Sequence, residues 1–440
     1  MVSAISYLLH ATSYTCQTKK NFRRSSIPSL TISNPMTQRY DIYKHSGVQW
    51  LGEIPGHWEC VPLKYFIETK SGTAINVKEL DDKGTYPVYG GGSQIGFCNK
   101  YNCEETEIIV GRVGAKCGCV TFPNKKVWAT DNALIIKTNL YPRFTAFVLE
   151  AADLNRLNAA NAQPLITGTK IKKVRIALPE ESEQRSIVSY LDSKCGKIDE
   201  WVTKKQKEVE HLQELKQRVI ADAVTRGLNP HVKMKATNIP WLKEVPEHWE
   251  NKRLAAIFTD DIETNKDFQY KRAFKFNYGC LVPKNEIGDP EEYRDVYVKY
   301  SIVYTGDILV NGLNLNYDFI SQRVACAPSD GIITSAYVVC RPRPNVNYDY
   351  YTYLFKAMDS MKLFHGMGTG IRLTLSFKEL KKQILPVPPL EEQKQIVAHI
   401  TDKTSKIDKL IANVTKEIEC IKEYKQRLIS DVVTGQIKVC

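Results

Sequence analysis

Apolar positions recur at alternating steps of four and three through the last part of the chain: Ile400, Thr404, Ile407, Ile411, Val414, Ile418, Ile421, Lys425, Leu428 and Val432. Stepping back 209 residues lands on Leu191, Cys195, Ile198, Val202, Lys205, Val209, Leu212, Lys216, Val219 and Ala223, which keep the same rhythm. A 3.5-residue spacing held over more than four heptads predicts a seam between two helices, not one helix face laid on a globular core. Pro179 opens the first segment and Pro388-Pro389 the second, and acidic residues follow where the helix dipole favours them. About 45 residues at 1.5 Å each would make a rod of roughly 65–70 Å. Either stripe alone would leave its apolar side in water, so the simplest burial pairs the two within one chain. Lys205, Lys216 and Thr404 interrupt the stripes and would fix their register.

The helices belong to a larger duplication. Trp50-Leu51-Gly52-Glu53-Ile54-Pro55-Gly56-His57-Trp58-Glu59 returns 191 residues later as Trp241-Leu242-Lys243-Glu244-Val245-Pro246-Glu247-His248-Trp249-Glu250. Glu183-Gln184, Lys197-Ile198-Asp199, Lys216-Gln217-Arg218 and Val224-Thr225 return 209 later as Glu392-Gln393, Lys406-Ile407-Asp408, Lys425-Gln426-Arg427 and Val433-Thr434. The segments between these words differ in both length and sequence, so two matching frames hold two different inserts. In the first insert Ile108–Val110, Val120–Phe122 and Leu134–Ile136 read as short strands, with a helix over Phe144–Leu157. In the second, Ile308–Val310, Val324–Cys326 and Ala336–Val339 read as strands, with a helix over Tyr350–Leu363. The shared order predicts a common fold. The expected class is α+β: two mixed domains and two long helices in an internal pseudo-twofold repeat. The expected boundaries are a disordered extension over 1–40, a domain over 41–178, a helix over 179–227, a second domain over 228–387 and a second helix over 388–434.

The net charge of +12 suggests a polyanionic partner, and its distribution sharpens the suggestion. Residues 180–226 hold nine basic and ten acidic groups, and residues 389–434 hold eight of each, so the helices are near neutral. Residues 41–179 hold 17 basic against 13 acidic groups, and residues 227–388 hold 21 against 18. The excess therefore lies on the inserts, as it would on DNA-docking domains. No apolar run approaches the ~20 residues needed to span a bilayer. The 12 cysteines are scattered with no C-x-x-C, which favours free thiols in a reducing cytoplasm over disulfides or zinc; the nearest metal-like group is Cys98, Cys103, Cys117 and Cys119. Residues 1–35 are Ser/Thr-rich and acid-free, superficially like an organelle transit peptide. Met36 opens a stretch that reads like a fresh N-terminus, and a plain extension is the preferred reading.

Catalytic patterns are missing: no phosphate loop, no dinucleotide glycine fingerprint and no Asn-Pro-Pro-aromatic signature of adenine methylation. Gly90-Gly91-Gly92 and Gly368-Thr369-Gly370 read as turns. Glu392 and Lys394 read as helix surface charges, and His57 and His248, each beside a tryptophan, as structural.

The doubled W-L-x-E-[IV]-P-x-H-W-E opening, the doubled P-x-x-x-E-Q helix start and the doubled K-I-D and K-Q-R words together resemble the specificity subunits of type I restriction–modification systems. The resemblance covers nearly everything after Met36. It implies a non-catalytic subunit with two target-recognition domains, each reading one half of a split, asymmetric site on double-stranded DNA. Methyltransferase subunits would dock on the helices and translocating restriction subunits would join them. S-adenosylmethionine, ATP and magnesium would sit on those partners, with no cofactor or metal on this chain, in a prokaryotic cytoplasm and off the membrane. Two domains related by a pseudo-twofold suit the backbone symmetry of a duplex, which favours an antiparallel pairing of the helices as a coiled coil. Candidate DNA contacts are polar groups in glycine-rich loops: Tyr89, Ser93, Gln94, Arg112 and Lys116 in the first domain, and Asn311, Asn314, Asn316, Arg323, Thr369 and Arg372 in the second. The alternatives are a coiled-coil scaffold with protein-binding inserts, and a regulator or specificity partner of another DNA-modifying system.

Overall fold

The computed structural model describes residues 38–114, 116–157, 165–284, 289–370 and 373–439. Most of the expected extension (residues 1–37) and Arg372 lie outside the described residues. The described chain divides into two compact units, one of residues 38–207 with 415–439 and the other of residues 208–414. Each unit thus takes one insert together with part of each long helix.

In the first unit, strands Glu59–Pro62 and Arg175–Leu178 pair antiparallel and close the base of the insert. Inside it a four-stranded antiparallel sheet runs Ile67–Ser71, Ala133–Thr138, Ile108–Gly111, Val120–Thr121 in spatial order. Its middle strands are almost wholly apolar and buried, as strands covered on both faces must be. Helix Pro142–Ala151 begins at a proline and buries Phe144, Phe147 and Val148. A side sheet of Gln94–Cys98, Tyr86–Tyr89 and Trp128–Ala129 is added.

The second unit repeats this plan. Strands Glu250–Arg253 and Ile384–Val387 close the base. The four-stranded sheet runs Phe258–Thr259, Val338–Pro342, Ile308–Val310, Val324–Cys326. Helix Tyr348–Ser360 is capped by the Asn347 side chain and buries Tyr350, Tyr351, Leu354 and Phe355. Its own additions are the hairpin Phe274–Asn277 with Cys280–Pro283 and the pair Ser301–Val303 with Gly331–Ile333. The two inserts therefore share one sheet-and-helix core and differ in what is attached to it.

The helices span Glu181–Arg226 and Leu390–Val433. Their starts account for the repeated words. Glu183 Oε2 accepts from Trp58 Nε1 at 2.9 Å and lies 3.1 Å from His57 Nε2, and its Oε1 accepts from the Tyr40 hydroxyl at 2.5 Å. Gln184 donates to the Pro179 carbonyl at 3.0 Å and accepts from the Tyr141 amide at 3.3 Å, tying the long helix to the cap of the insert's helix. In the second unit Glu392 Oε2 stands 2.7 Å from His248 Nε2, while Gln393 donates to Pro388 at 2.8 Å and accepts from Asn347 at 3.3 Å. Tyr40 and Gln38, the latter bonded through its carbonyl to the Lys438 amide at 2.7 Å, belong to this packing and not to the extension.

The helix ends return to the same words. Gly227 and Gly435 follow the last turns with φ of +73° each, the left-handed stop that glycine adopts without strain. A Cβ on Gly227 would come within 3.3 Å of the Trp249 ring, and one on Gly435 within 3.3 Å of the Trp58 ring. In the first unit the tryptophan word therefore meets the start of the central helix and the end of the C-terminal helix; in the second it meets the end of the central helix and the start of the other.

Along the two stripes Leu191, Ile198, Val202, Ile400, Ile407, Val414, Ile418, Leu428 and Val432 are buried, and Val209, Leu212, Val219, Ile411 and Ile421 are half-buried. In the first unit Lys425 pairs with Asp199 at 2.7 Å and Lys205 with Glu417 at 3.3 Å, so partner numbers fall as the others rise. In the second unit Lys216 pairs with Asp408 at 2.6 Å. Lys205, Lys216 and Lys425 thus reach from the stripe to acids of the facing helix, and Thr404 is buried within it.

Candidate nucleic-acid interface

In the first unit two loops meet. One is the turn Gly90–Ser93 between strands Tyr86–Tyr89 and Gln94–Cys98; the other links strands Ile108–Gly111 and Val120–Thr121. Their contact is backbone-close: a Cβ on Gly91 would lie 2.9 Å from the Val113 carbonyl, and one on Gly92 2.8 Å from Lys116 Cβ. Glycine is required there by contact, and at Gly92 also by a φ of +121°. The structure so brings Tyr89, Ser93, Gln94, Arg112 and Lys116 to one place. Gln94 and Lys116 are exposed. Arg112 is half-buried: one guanidinium nitrogen donates to Ser71 Oγ at 3.3 Å, while its Nε is buried without a partner. Tyr89 is half-buried against the apolar cluster of Ile109, Ala129 and Ile135, and burial holds its hydroxyl above the ordinary tyrosine range.

In the second unit the topologically matching loop, from strand Ile308–Val310 to strand Val324–Cys326, is longer and differently built. Arg323 organises it. Its side chain is fully buried, with Nη1 donating to the carbonyls of Asn311 at 3.0 Å and Leu313 at 2.8 Å, and Nη2 to those of Asn314 at 3.4 Å and Asp318 at 2.6 Å. Its amide donates to Asp359 Oδ2 at 2.7 Å. Burial raises the Asp359 carboxyl against the pull of that bond and of nearby cations. The sequence expectation of Arg323 as a DNA contact is therefore corrected: its Nη donors are spent on the loop's own backbone and its Nε is buried without a partner, all out of solvent.

The remaining candidates of this unit lie along the same loop and beside it. The Asn311 side chain caps the Leu313 amide at 3.2 Å. Asn314 is exposed with φ of +52°, a left-handed position that asparagine tolerates. Asn316 turns its Oδ1 inward, where it is buried without a partner. Thr369 is exposed and forms an antiparallel bridge with Thr374. The bridged segment abuts the loop: Leu375 donates to the Gly312 carbonyl at 2.9 Å and Leu315 to that of Leu373 at 3.2 Å. Burial pushes the Asp318 carboxyl up, but bonds from Ser321 and from the Ile320 amide outweigh it and hold the group below the ordinary aspartate range.

Sequence reasoning did not single out the apolar side chains of this loop. Tyr317, Phe319 and Ile320 are 80%, 54% and 66% exposed. The signal was present as three large apolar residues, broken only by Asp318, between Asn316 and Ser321 in a segment that is neither strand nor helix.

Among the described residues no group of three or more His, Cys, Asp or Glu could hold a metal ion, and no helix is long and apolar enough to cross a membrane. Cys98 and Cys117 are buried and donate to the carbonyls of Lys100 and Arg112, each at 3.0 Å, and burial pushes the Cys103 thiol up to about 12.

A family model described as type I restriction modification DNA specificity domain matches residues 55–211 and again residues 246–420. The MjaVIII specificity subunit of a type I restriction enzyme of Methanocaldococcus jannaschii is 24% identical over 423 residues, covering 88% of this chain and 94% of its own. The putative MjaX specificity subunit of the same organism is 22% identical, over 88% of this chain and 96% of its own. A solved chain from work on complex assembly and conformational transition of the type I R-M system superposes with a TM-score of 0.58 at 15% identity, covering 86% of this chain and 98% of that one.

Proposed function

The chain belongs to the type I restriction modification DNA specificity family, and we propose that its two inserts read the two halves of a split DNA site while its helices carry the partner subunits that act there. It contributes selection of the site, not catalysis. The observation that carries this reading is the pairing of sameness and difference. One sheet-and-helix core occurs twice, and the loop leaving its third strand bears Arg112 and Lys116 in one copy but Asn311, Asn314, Tyr317 and Ile320 in the other. Arginine, asparagine and glutamine can bond guanine or adenine bidentately, while lysine suits phosphate. Gln94, Arg112, Lys116, Asn311, Asn314 and Thr369 are the groups we assign to DNA, with Tyr89 and Ser93 shaping their loop and Arg323 holding the other. Different loops on the two copies imply different half-sites, hence an asymmetric target.

The helices pair, on this reading, as an antiparallel coiled coil that fixes the spacing of the half-sites. The opposed ion pairs within each unit and the crossed helix ends support it. Partner docking is supported by apolar positions left in solvent beside the stripe: Leu410 and Tyr424 are 51% and 49% exposed, Leu215 is 46% exposed, and Trp201 is half-buried. The 209-residue repeat relates Trp201 to Leu410 and Leu215 to Tyr424, so each helix offers the same two positions to two equal partners, the methyltransferase subunits. Restriction subunits would join that assembly. S-adenosylmethionine, ATP and magnesium belong to those partners, and the complex works on DNA in a prokaryotic cytoplasm.

The test is an exchange of residues 63–174 for the matching insert of a relative, cut just inside the paired strands Glu59–Pro62 and Arg175–Leu178. Methylome sequencing of cells carrying the chimera and its methyltransferase should show one half of the modified sequence replaced, with the other half and the spacing unchanged. A motif changed in both halves, or in spacing, overturns the reading.

A further inference from the structure

The tip of the second unit's long loop, residues 317–320, sets three large apolar side chains in solvent on a braced backbone. Tyr317, Phe319 and Ile320 stand 80%, 54% and 66% in solvent within four residues. Large apolar side chains so concentrated on a loop mark a contact site. Both charged groups of the loop turn back on it. The Arg323 guanidinium lies buried on four carbonyls, and the Asp318 carboxylate accepts from the Ile320 amide at 3.1 Å and the Ser321 amide at 2.9 Å. Phe319 stacks on His365, centroids 4.6 Å apart and planes 16° off parallel, and His365 in turn meets the Asp318 carbonyl at 3.0 Å. The backbone that presents Tyr317 and Ile320 is therefore fixed from behind by Arg323 and from the side by His365. Beside it the hairpin tip Asn277–Cys280 approaches Gln322, and its Tyr278 is 58% exposed with φ of +46°.

Resting on the function proposed above, we infer that this tip reads DNA by apolar contact, with Tyr317 and Ile320 packing on the 5-methyl group of a thymine in the major groove. Three observations direct the tip to DNA. It continues the loop that carries Asn311 and Asn314, the unit's hydrogen-bonding candidates. The matching loop of the first unit carries instead exposed Lys116, a group suited to phosphate. The one charge at the tip, the Asp318 carboxylate, is tied to the Ile320 and Ser321 amides, so Tyr317 and Ile320 are what the tip offers outward, which suits a base edge whose distinguishing feature is a methyl group. Phe319 acts as a positioning residue, held by His365, and the two units would then read in different ways: polar and cationic in the first, partly apolar in the second.

The experiment uses the full chain assembled with its methyltransferase partners and duplexes carrying its methylated site. The half-site of the second unit is the one that survives exchange of residues 63–174. Each thymine in it is replaced in turn by deoxyuridine, which lacks only the methyl group. Wild-type complex should lose about three- to fivefold in affinity at one position at least, the worth of one buried methyl. The double variant Tyr317→Ala, Ile320→Ala should bind the thymine and deoxyuridine duplexes equally, with its response in the other half-site unchanged. Indifference of wild type to deoxyuridine, a penalty that persists in the variant, or a half-site with no thymine on either strand overturns the inference. Loss of methyltransferase assembly by the variant with DNA discrimination intact assigns the tip to a protein and overturns it too. A wild-type complex with no defined bipartite site sinks the proposed function itself, and this inference with it.

Discussion

The Lys425 ammonium donates to both carboxylate oxygens of Asp199, at 2.7 and 2.8 Å, and joins the lysine of the second K-Q-R word to the aspartate of the first K-I-D word. Its counterpart 209 residues back, Lys216, makes the same contact with Asp408 at 2.6 and 2.7 Å. Two words that repeat in sequence thus recognise each other crosswise, each in its own unit.

The energy of such a pair is small. The Lys425 and Asp199 side chains are 26% and 61% exposed, and solvent screens them. A double-mutant cycle over Lys425→Ala and Asp199→Ala should give a coupling of about 0.2–1 kcal/mol in thermal unfolding, fading as salt rises. The charge-swapped Lys425→Asp, Asp199→Lys should recover most of what either reversal loses. A pair this exposed should add little to stability beside the apolar stripe it flanks.

The helices were legible because their signal is long and periodic, and Ile198, Ile407 and Val414 of the stripes are buried. The common core of the inserts was legible from the order of its strands. The side sheet built on Tyr86–Tyr89 was not, because Gly90-Gly91-Gly92 reads only as a turn and its tight fit on Val113 and Lys116 is a long-range contact. Arg323 shows the limit for sites. In sequence it is one more arginine after a polar loop, and only the fold reveals that four carbonyls surround it. Tyr317 and Ile320 were passed over for the opposite reason: a search for polar contacts has no place for apolar ones.

Trp58 and Trp249 occupy equivalent places, and both are fully buried, yet they differ in one bond. Trp58 Nε1 donates to Glu183, while Trp249 Nε1 has no partner. Replacing each by Phe should separate the polar part from the packing loss they share. Trp58→Phe should cost about 1.5–3 kcal/mol more than Trp249→Phe, because it removes a bond to a charged acceptor and the other removes none. Urea unfolding of the two variants, each compared with wild type, measures the difference.

Arg323→Lys keeps the charge and loses the fork. A lysine ammonium cannot reach four carbonyls spread over Asn311 to Asp318, so some lose their donor in a part-buried site. The expected cost is about 2–4 kcal/mol, confined to the second unit. Limited proteolysis should cut within residues 313–320 of the variant and not of wild type. Methylome sequencing should show the second half-site degraded and the first unchanged, although Arg323 itself is out of reach of DNA.

Lys116 offers the sharpest test of how the first unit meets DNA, because position and chemistry predict different signatures for neighbouring residues. It is exposed, on a loop fixed by Gly92 against its Cβ, and it lies one loop turn from the half-buried Arg112. As a point charge it should neutralise one phosphate. Lys116→Ala should then weaken binding by a similar factor on cognate and scrambled duplexes, and reduce the slope of log affinity against log salt by about 0.9. Arg112 can present a planar fork once it leaves Ser71, so Arg112→Ala should instead relax one base of the first half-site, by about 1–3 kcal/mol, with little change in the slope on scrambled DNA. Binding isotherms of the assembled complex at several salt concentrations, on both duplexes, separate the two. A sequence-selective loss at Lys116 with an unaltered slope would reassign it from the backbone to a base, and an even loss at Arg112 would do the reverse.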